Sequence, residues 1–201
     1  MDRISWPSKA IAETVYVVVM ACWLGFAAIV VLGKRGAAPG AEHRDGKSLA
    51  GMLVQGAAYA ICFGAFRTRF SSILPLPRTG EAILAAFTVA LALTSTWFCY
   101  TAARSLGRYW ALVARVIEGH ELIRQGPYAI VRNPIYLAMF GMLIASGLAV
   151  SRWQALVPAM AVYLVGTAVR IHAEENLLRA RFGAQFDDYA RRVPALLPRL
   201  F

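Results

Sequence analysis

Two clusters of polar residues interrupt an otherwise apolar chain, and both carry side chains that could bind a ligand. The first runs from Gly119 to Tyr136 and contains Gly126-Pro127 and Arg132-Asn133-Pro134, which predict irregular backbone. Irregular backbone at membrane depth persists only where protein covers it or where it lines a cavity. We therefore expect this segment to line a pocket.

The second cluster is Arg170 to Glu175. Arg170 and Glu174 are four residues apart, so on a continuous helix they project from one face. They could form a simple intrahelical ion pair. Alternatively, Arg170 could clamp an anionic substrate group while Glu174 accepts hydrogen bonds from polar groups of a cofactor. The spacing alone leaves both interpretations open.

The composition predicts that membrane helices position these clusters. The chain has 201 residues, of which 59% are hydrophobic, and a mean hydropathy of +0.54. This is too apolar for an ordinary soluble domain. The net charge of +10 comes from Lys and Arg clusters that flank apolar runs, a pattern typical of membrane helices rather than of nucleic-acid binding. Cys22, Cys62 and Cys99 fall inside apolar runs and predict inert packing, with no metal site.

Five windows are long enough and free enough of charge to predict spanning helices. The last is short and contains Pro158, which a neighbouring helix, a water or a hydroxyl can accommodate. The first is interpreted as a retained span, not a removed signal peptide. The windows are Thr14–Gly33, Ser48–Phe66, Ala82–Ala103, Asn133–Ser151 and Trp153–Val169.

The charge distribution favours a cytoplasmic C-terminus. With five spans, 15 Lys and Arg residues fall on the side of the C-terminal tail and six on the other side. The tail itself is predicted to be an amphipathic helix, interrupted by Gly183 and ended by Pro194. The apolar stripe of this helix consists of Leu178, Phe182, Phe186, Tyr189 and Val193. A stripe of this kind indicates packing against the protein more than ligand binding.

The order and spacing of several short motifs are more specific than any one of them. Together they closely resemble the isoprenylcysteine carboxyl methyltransferase family and its phospholipid methyltransferase relatives, over about residues 105 to 198. The motifs are Leu106-Gly107-Arg108-Tyr109-Trp110, His120-x-Leu122, Gly126-Pro127-Tyr128, Arg132-Asn133-Pro134-x-Tyr136, Glu174-Glu175 and Phe182-Gly183-x-x-Phe186-x-x-Tyr189.

This resemblance implies an integral membrane enzyme that transfers a methyl group from S-adenosylmethionine to a lipophilic acceptor, leaving S-adenosylhomocysteine. It implies that Arg170 contacts the substrate and serves in catalysis. It also implies a set of cofactor-binding residues: His120, Glu121, Leu122, Ile123, Tyr128, Asn133, Pro134, Ile135, Tyr136 and Glu174. Tyr128 and Tyr136 could pack on adenine or the sulfonium, or instead belong to the aromatic belt of the membrane interface.

The chain departs from the family at Asn133, where the family usually has histidine. Asparagine forms hydrogen bonds but carries no proton near neutral pH, so a role that needs an imidazole is in doubt there. Arg132, at the mouth of a span, could contact the cofactor carboxylate, but it is interpreted as an anchor at the membrane boundary. A carboxylate acceptor would need no base, whereas an amine or hydroxyl would need His120 or His172.

We therefore expect an all-α integral membrane protein with five transmembrane helices and a C-terminal cytoplasmic amphipathic helix. Residues 1–201 form one methyltransferase domain, with a three-span scaffold and acceptor side in 1–104 and a cofactor-binding catalytic half in 105–201. The expected reaction is carboxyl O-methylation of a prenylcysteine-like acceptor that enters from the bilayer, in a bacterial inner membrane or the endoplasmic reticulum. The alternatives are a sterol-reductase-type enzyme that uses NADPH and a lipid-binding scaffold without catalysis.

Overall fold

The computed structural model describes residues 6–36, 43–44, 46–67, 73, 76–109, 115–116 and 121–196. Within these ranges the fold consists of six α-helices with two short 3-10 turns, Gly107–Tyr109 and Gly126–Ala129. Two-residue strands, β1 (His43–Arg44) and β2 (Arg115–Val116), pair antiparallel. The helices are α1 (Trp6–Gly36), α2 (Gly46–Gly64), α3 (Arg78–Leu106), α4 (Pro134–Val150), α5 (Trp153–Phe182) and α6 (Ala184–Arg192).

Each of the five predicted windows forms the body of one helix, from α1 to α5. The fifth window was predicted to end at Val169, but α5 continues to Phe182 and passes through Pro158 without ending. The predicted window stopped at Val169 because the next residue, Arg170, is charged. The helix itself ends only where the backbone dihedral angles leave the helical region. That change comes at Gly183, whose φ of 52° lies in the left-handed region that favours glycine.

Three of the helices are long and apolar enough to cross a membrane: Lys9–Gly33 of α1, all of α3 and all of α5. The apolar helix α4 is shorter, with 17 residues, and it is the most enclosed, with Met142, Leu143 and Ala145 fully buried. The chain is therefore a helical membrane protein. It carries many large side chains on outer faces, including Leu24, Phe87 and Val157, as lipid contact requires.

Helices α4 and α5 form an antiparallel hairpin around Arg152. The Arg152 amide donates to the Ala65 carbonyl at 3.1 Å, which ties this turn to the end of α2. At the other end of the hairpin, the Tyr163 hydroxyl donates to the Tyr136 carbonyl at 2.9 Å. The start of α4 and the cluster at residues 170–175 are therefore brought to the same end of the hairpin.

Helices α2 and α5 approach each other most closely at Gly51 and Gly166. A Cβ atom on Gly51 would lie 2.5 Å from Cγ of Arg170 and 2.7 Å from the Gly166 carbonyl oxygen. Small residues at a crossing allow this approach between membrane helices. The approach places α2 directly against the Arg170 side chain.

Candidate functional site

A cavity of about 530 Å³ lies between the polar segment 121–136 and residues of all six helices, α1 to α6. Nine of the predicted site residues line it: Glu121, Leu122, Ile123, Tyr128, Asn133, Ile135, Tyr136, Arg170 and Glu174. Pro134 is buried at the first turn of α4 and does not line the cavity. His120 lies outside the described residues.

The polar segment is irregular, as its glycines and prolines predict. Residues 121–125 belong to no helix or strand, Gly126–Ala129 form a single 3-10 turn, and α4 begins only at Pro134. A proline suits the first turn of a helix because its missing N–H would have no partner there. Tyr128 and Tyr136 are 8% and 6% exposed and line the cavity. Neither therefore belongs to an aromatic belt facing the membrane interface.

Arg170, Glu174 and Tyr136 form one wall of the cavity. The Arg170 guanidinium lies 4.7 Å from the centroid of the Tyr136 ring, and its Nη2 is 3.7 Å from a Glu174 carboxylate oxygen. The Tyr136 hydroxyl donates to the same carboxylate. Arg170 and Glu174 therefore do form an intrahelical pair, but a partly buried one that lines the cavity.

Arg132 ties the polar segment to the C-terminal residues. Its guanidinium contacts the Glu175 carboxylate through Nε and Nη2, each at 2.8 Å, and donates to the Ala190 carbonyl at 2.9 Å and to the Val193 carbonyl. The interpretation of Arg132 as an anchor at the membrane boundary is therefore wrong. Its charge is used inside the protein because a carboxylate and helix-end carbonyls meet there.

Asn133 extends the same link. Its amide N–H and its side-chain Nδ2 both donate to the Ala195 carbonyl, at 3.1 and 3.0 Å. An asparagine side chain suffices for this contact, since one N–H donor is needed and no proton is transferred. Residues 193–196 are thereby held against the start of α4, where Leu196 is fully buried.

Helix α6 covers the cavity from the side of the C-terminus. Phe186 and Tyr189 are buried and line the cavity, and the Tyr189 hydroxyl donates to the Tyr128 carbonyl at 2.6 Å. Leu178 lines it too, so the apolar stripe predicted to serve packing also forms cavity wall. Gly183 divides that stripe between α5 and α6, because its positive φ turns the chain.

Burial keeps the phenols of this region protonated. It raises the pKa of Tyr128 well above the usual value, with a further contribution from the Glu174 charge. Burial likewise raises the pKa of Tyr189 to about 12. Both side chains therefore stay neutral throughout the physiological pH range, and the Tyr189 hydroxyl can donate to the Tyr128 carbonyl.

His172 does not reach the cavity. Its side chain is exposed on α5 and is absent from the lining, although it was a predicted base for an amine or hydroxyl acceptor. The reason is helical geometry: two residues beyond Arg170, a side chain points some 200° around the helix axis. The carboxyl groups that do line the cavity belong to Glu121, Glu174 and Glu175.

Sequence reasoning missed the residues that form the apolar part of the cavity. On α1 these follow one face at helical spacing, namely Trp23, Phe26, Ala27, Val30 and Val31, joined by Met52 and Cys99. Trp23 is the largest of these side chains and is fixed by a 3.0 Å hydrogen bond to Ser146 and by edge contact with Tyr59. Cys99, predicted to be inert packing, is therefore also cavity wall, while Cys22 and Cys62 are buried.

Two polar residues outside the cavity also support the site. Gln55 on α2 is 2% exposed and accepts a 3.0 Å hydrogen bond from Nη1 of Arg170, while donating to Thr167 at 2.7 Å. A lone polar residue in an apolar span is a signal that could have identified Gln55. Among the described residues, no group of His, Cys, Asp and Glu is arranged to hold a metal ion.

Curated relatives of the chain include both methyltransferases and proteins named for metal resistance. The nickel-cobalt-cadmium resistance protein NccN of Alcaligenes xylosoxydans xylosoxydans is 34% identical over 139 residues, 68% of this chain and 64% of that one. Methanethiol S-methyltransferase 2 of Bradyrhizobium diazoefficiens is 43% identical over 82 residues, 37% and 27% of the two chains. Protein-S-isoprenylcysteine O-methyltransferase B of Arabidopsis thaliana is 31% identical over 81 residues, 40% and 41%.

In each comparison the matched part spans less than two thirds of the relative's length. The phospholipid methyltransferase family model matches residues 83–185, about half of the chain. This stretch runs from α3 through the polar segment and the α4–α5 hairpin to the start of α6, and it contains Tyr128, Tyr136, Arg170 and Glu174. The chain therefore belongs to the phospholipid methyltransferase family of membrane proteins, as the resemblance in its motifs predicts.

Proposed function

We propose that this chain is a five-span methyltransferase that uses S-adenosylmethionine and methylates the carboxylate of a lipophilic, prenylcysteine-like acceptor. The observation that carries the proposal is the wall formed by Arg170, Glu174 and Tyr136. It stands between a polar turn, where a cofactor would lie, and the apolar face of α1, where an acceptor tail would lie.

The chemistry of the cavity fits S-adenosylmethionine. Glu121 and Glu174 offer carboxylate oxygens to hydroxyl and ammonium donors. Tyr128 and Tyr136 offer ring faces to adenine or to a sulfonium, and a volume of about 530 Å³ lies in the range of cofactor pockets. S-Adenosylmethionine, when bound, would supply a methyl group activated by the positive sulfur, with S-adenosylhomocysteine as product.

Arg170 supports a carboxylate as the accepting group. A carboxylate is ionised at neutral pH, since its ordinary pKa is about 4, and needs no general base. A guanidinium orients it through paired N–H donors. Because His172 is exposed and outside the lining, this position supplies no imidazole for an amine or hydroxyl acceptor.

The lining from α1 supports a lipophilic tail. Trp23, Phe26 and Val30 lie on one face of the helix, and the neighbouring Val31, which also lines the cavity, is 49% exposed. An amphiphile could thus keep its tail in apolar surroundings while its head reaches Arg170. The five-span topology and a cytoplasmic site rest on the excess of Lys and Arg on the C-terminal side.

The sterol-reductase alternative is not favoured, because the matched family is named for methyl transfer and so are two of the relatives. A thiol acceptor deserves a direct test, since one of those relatives is named as a methanethiol methyltransferase. The non-catalytic scaffold differs from our proposal in a single observable, methyl transfer.

The proposal is tested with purified protein in lipid nanodiscs. Labelled S-adenosylmethionine is offered with a farnesylcysteine derivative bearing a free carboxylate, with the matching amide, and with an alkyl thiol of similar length. We expect label in the carboxylate compound alone. Label in the thiol alone would reassign the acceptor, and no transfer by folded protein to any of the three would reject a methyltransferase of this type. Displacement of S-adenosylmethionine by NADPH would instead favour the sterol-reductase alternative.

A further inference from the structure

We infer that Gln55 is a positioning residue that holds the Arg170 guanidinium where an acceptor carboxylate can meet it. The inference rests on the proposed role of Arg170. It concerns a helix, α2 (Gly46–Gly64), that lies outside the residues matched by the family model. The residue is nearly inaccessible to solvent, at 2% exposed, and every contact described below lies inside the protein.

The Gln55 amide is oriented by the chemistry of its two neighbours on α5. A guanidinium only donates hydrogen bonds, so the group facing Arg170 must be the carbonyl oxygen, Oε1, at 3.0 Å from Nη1. The amide nitrogen then donates to the Thr167 hydroxyl at 2.7 Å. Thr167 is fully buried. The assignment of oxygen and nitrogen in this side chain is therefore fixed by its partners.

Gln55 and Glu174 contact different nitrogens of the Arg170 guanidinium. The Gln55 oxygen contacts Nη1, whereas the Glu174 carboxylate is nearest to Nη2, at 3.7 Å. A pair at 3.7 Å is longer than a charge-assisted hydrogen bond of about 2.8 Å, so the guanidinium has not closed onto the carboxylate. Gln55 thus holds the Arg170 guanidinium through Nη1 while Glu174 lies beside Nη2, so that Arg170 can serve the acceptor and Glu174 the cofactor.

The close helix crossing makes this contact possible. A Cβ on Gly166 would lie 2.9 Å from the Gln55 backbone nitrogen and 3.1 Å from the Gln55 Cγ. The two backbones are therefore near enough for a neutral side chain on α2 to span to α5. A neutral amide also leaves the positive charge of Arg170 intact, which a carboxylate at the same position would cancel.

The experiment uses Gln55→Leu and a milder change, Thr167→Val. Thr167→Val leaves Arg170 and Gln55 in place but removes the hydroxyl that accepts the hydrogen bond from the Gln55 side-chain amide. Two control variants are included. Thr167→Ser keeps the hydroxyl, and Cys62→Ala shortens a fully buried side chain on α2, the helix of Gln55, without changing Gln55, Thr167 or Arg170. Three quantities are measured in full-length protein in nanodiscs. They are S-adenosylmethionine affinity, affinity for the carboxylate amphiphile by calorimetry, and kcat and KM for methyl transfer.

We expect Gln55→Leu to lower kcat/KM for the acceptor about 30-fold, as the loss of a hydrogen bond to a charged group predicts. Cofactor affinity should change less than about threefold, because Glu174 is untouched. Thr167→Val should follow in the same direction, while Thr167→Ser and Cys62→Ala resemble wild type. Equal loss of cofactor and acceptor binding would make Gln55 a purely structural residue and overturn the inference.

The two proposals fail separately. If wild-type protein methylates the carboxylate and Gln55→Leu matches it, the positioning role is wrong and the function stands. If wild-type protein transfers no methyl group but binds the carboxylate amphiphile in a Gln55-dependent way, the function is wrong and the positioning role stands. Wild-type protein that binds no carboxylate overturns both.

Discussion

Replacing Arg132 should release the C-terminal residues from the cavity without unfolding the membrane helices. Arg132 makes two contacts of 2.8 Å with Glu175 and donates to the carbonyls of Ala190 and Val193. The two side chains are 11% and 14% exposed, so solvent screens their interaction little. Removing one partner of such a buried pair costs about 3 kcal/mol, mainly because the other charge is left uncompensated.

This free energy applies to a local opening rather than to global unfolding. Because each 1.4 kcal/mol is a factor of ten, about 3 kcal/mol raises the population of the open state roughly 100-fold. Arg132→Ala should therefore accelerate amide hydrogen exchange about 100-fold in residues 184–196, with little change in α4. Arg132→Lys keeps the charge but cannot contact Glu175 through two nitrogens at once. Its exchange rates in residues 184–196 should therefore lie between those of wild type and Arg132→Ala.

The matched control is Arg179→Ala. Arg179 also joins α5 to α6, through Asp187 at 2.8 Å, but the two side chains are 44% and 47% exposed. Exposed pairs contribute about 0.2–1 kcal/mol, so exchange in α6 should rise less than about fivefold. Unchanged exchange in residues 184–196 of Arg132→Ala, or an equal effect of both variants, would refute the role assigned to Arg132.

Two further substitutions test the helix crossing and the apolar end of the cavity. Gly51→Ala should lower the free energy of unfolding by about 1–3 kcal/mol, because the added Cβ would lie 2.5 Å from Cγ of Arg170. The control is Gly56→Ala on the same helix, whose Cβ would meet nothing within 4 Å. This variant should be as stable as wild type or more stable. Stability equal to wild type in Gly51→Ala would contradict the crossing. Trp23→Ala should shift acceptor preference toward longer tails, because Trp23 is the largest side chain that α1 contributes to the cavity wall. Trp97→Ala on the exposed face of α3 should leave the preference unchanged. An unchanged preference in Trp23→Ala would contradict its place in the wall.

The sequence predicts the helices and half of the cavity for clear physical reasons. Runs of apolar residues without charge indicate where helices lie, and Pro134 and Gly183 mark ends that depend on local backbone chemistry alone. The cavity residues from 121 to 136 stand out because polar groups in an apolar chain are conspicuous. Glu174 and Arg170 are predictable for the same reason, together with their spacing.

The other half of the cavity depends on contacts that no local pattern carries. Nearly every position of α1 is apolar, so the face with Trp23 and Val30 has no contrast with the lipid-facing sides. Arg132 contacts the Ala190 and Val193 carbonyls, so its role could be predicted only if the position of α6 next to it were known. The hydrogen bond between Arg170 and Gln55 joins residues 115 positions apart. Such contacts follow from tertiary packing, which is why the sequence predicts Arg132 as an anchor although it lies inside the protein.

The most direct test of the central claim is calorimetric titration of the purified protein with S-adenosylmethionine, for wild type and for Glu174→Gln. The substitution keeps the size of the side chain but removes its charge from the cavity wall. Glu13→Gln is the control, because Glu13 lies on α1 outside the cavity and its side chain is 47% exposed. We predict saturable binding by wild type and by Glu13→Gln, and affinity at least about tenfold weaker in Glu174→Gln. Absence of binding to folded wild-type protein, or equal affinity in all three, would contradict the account.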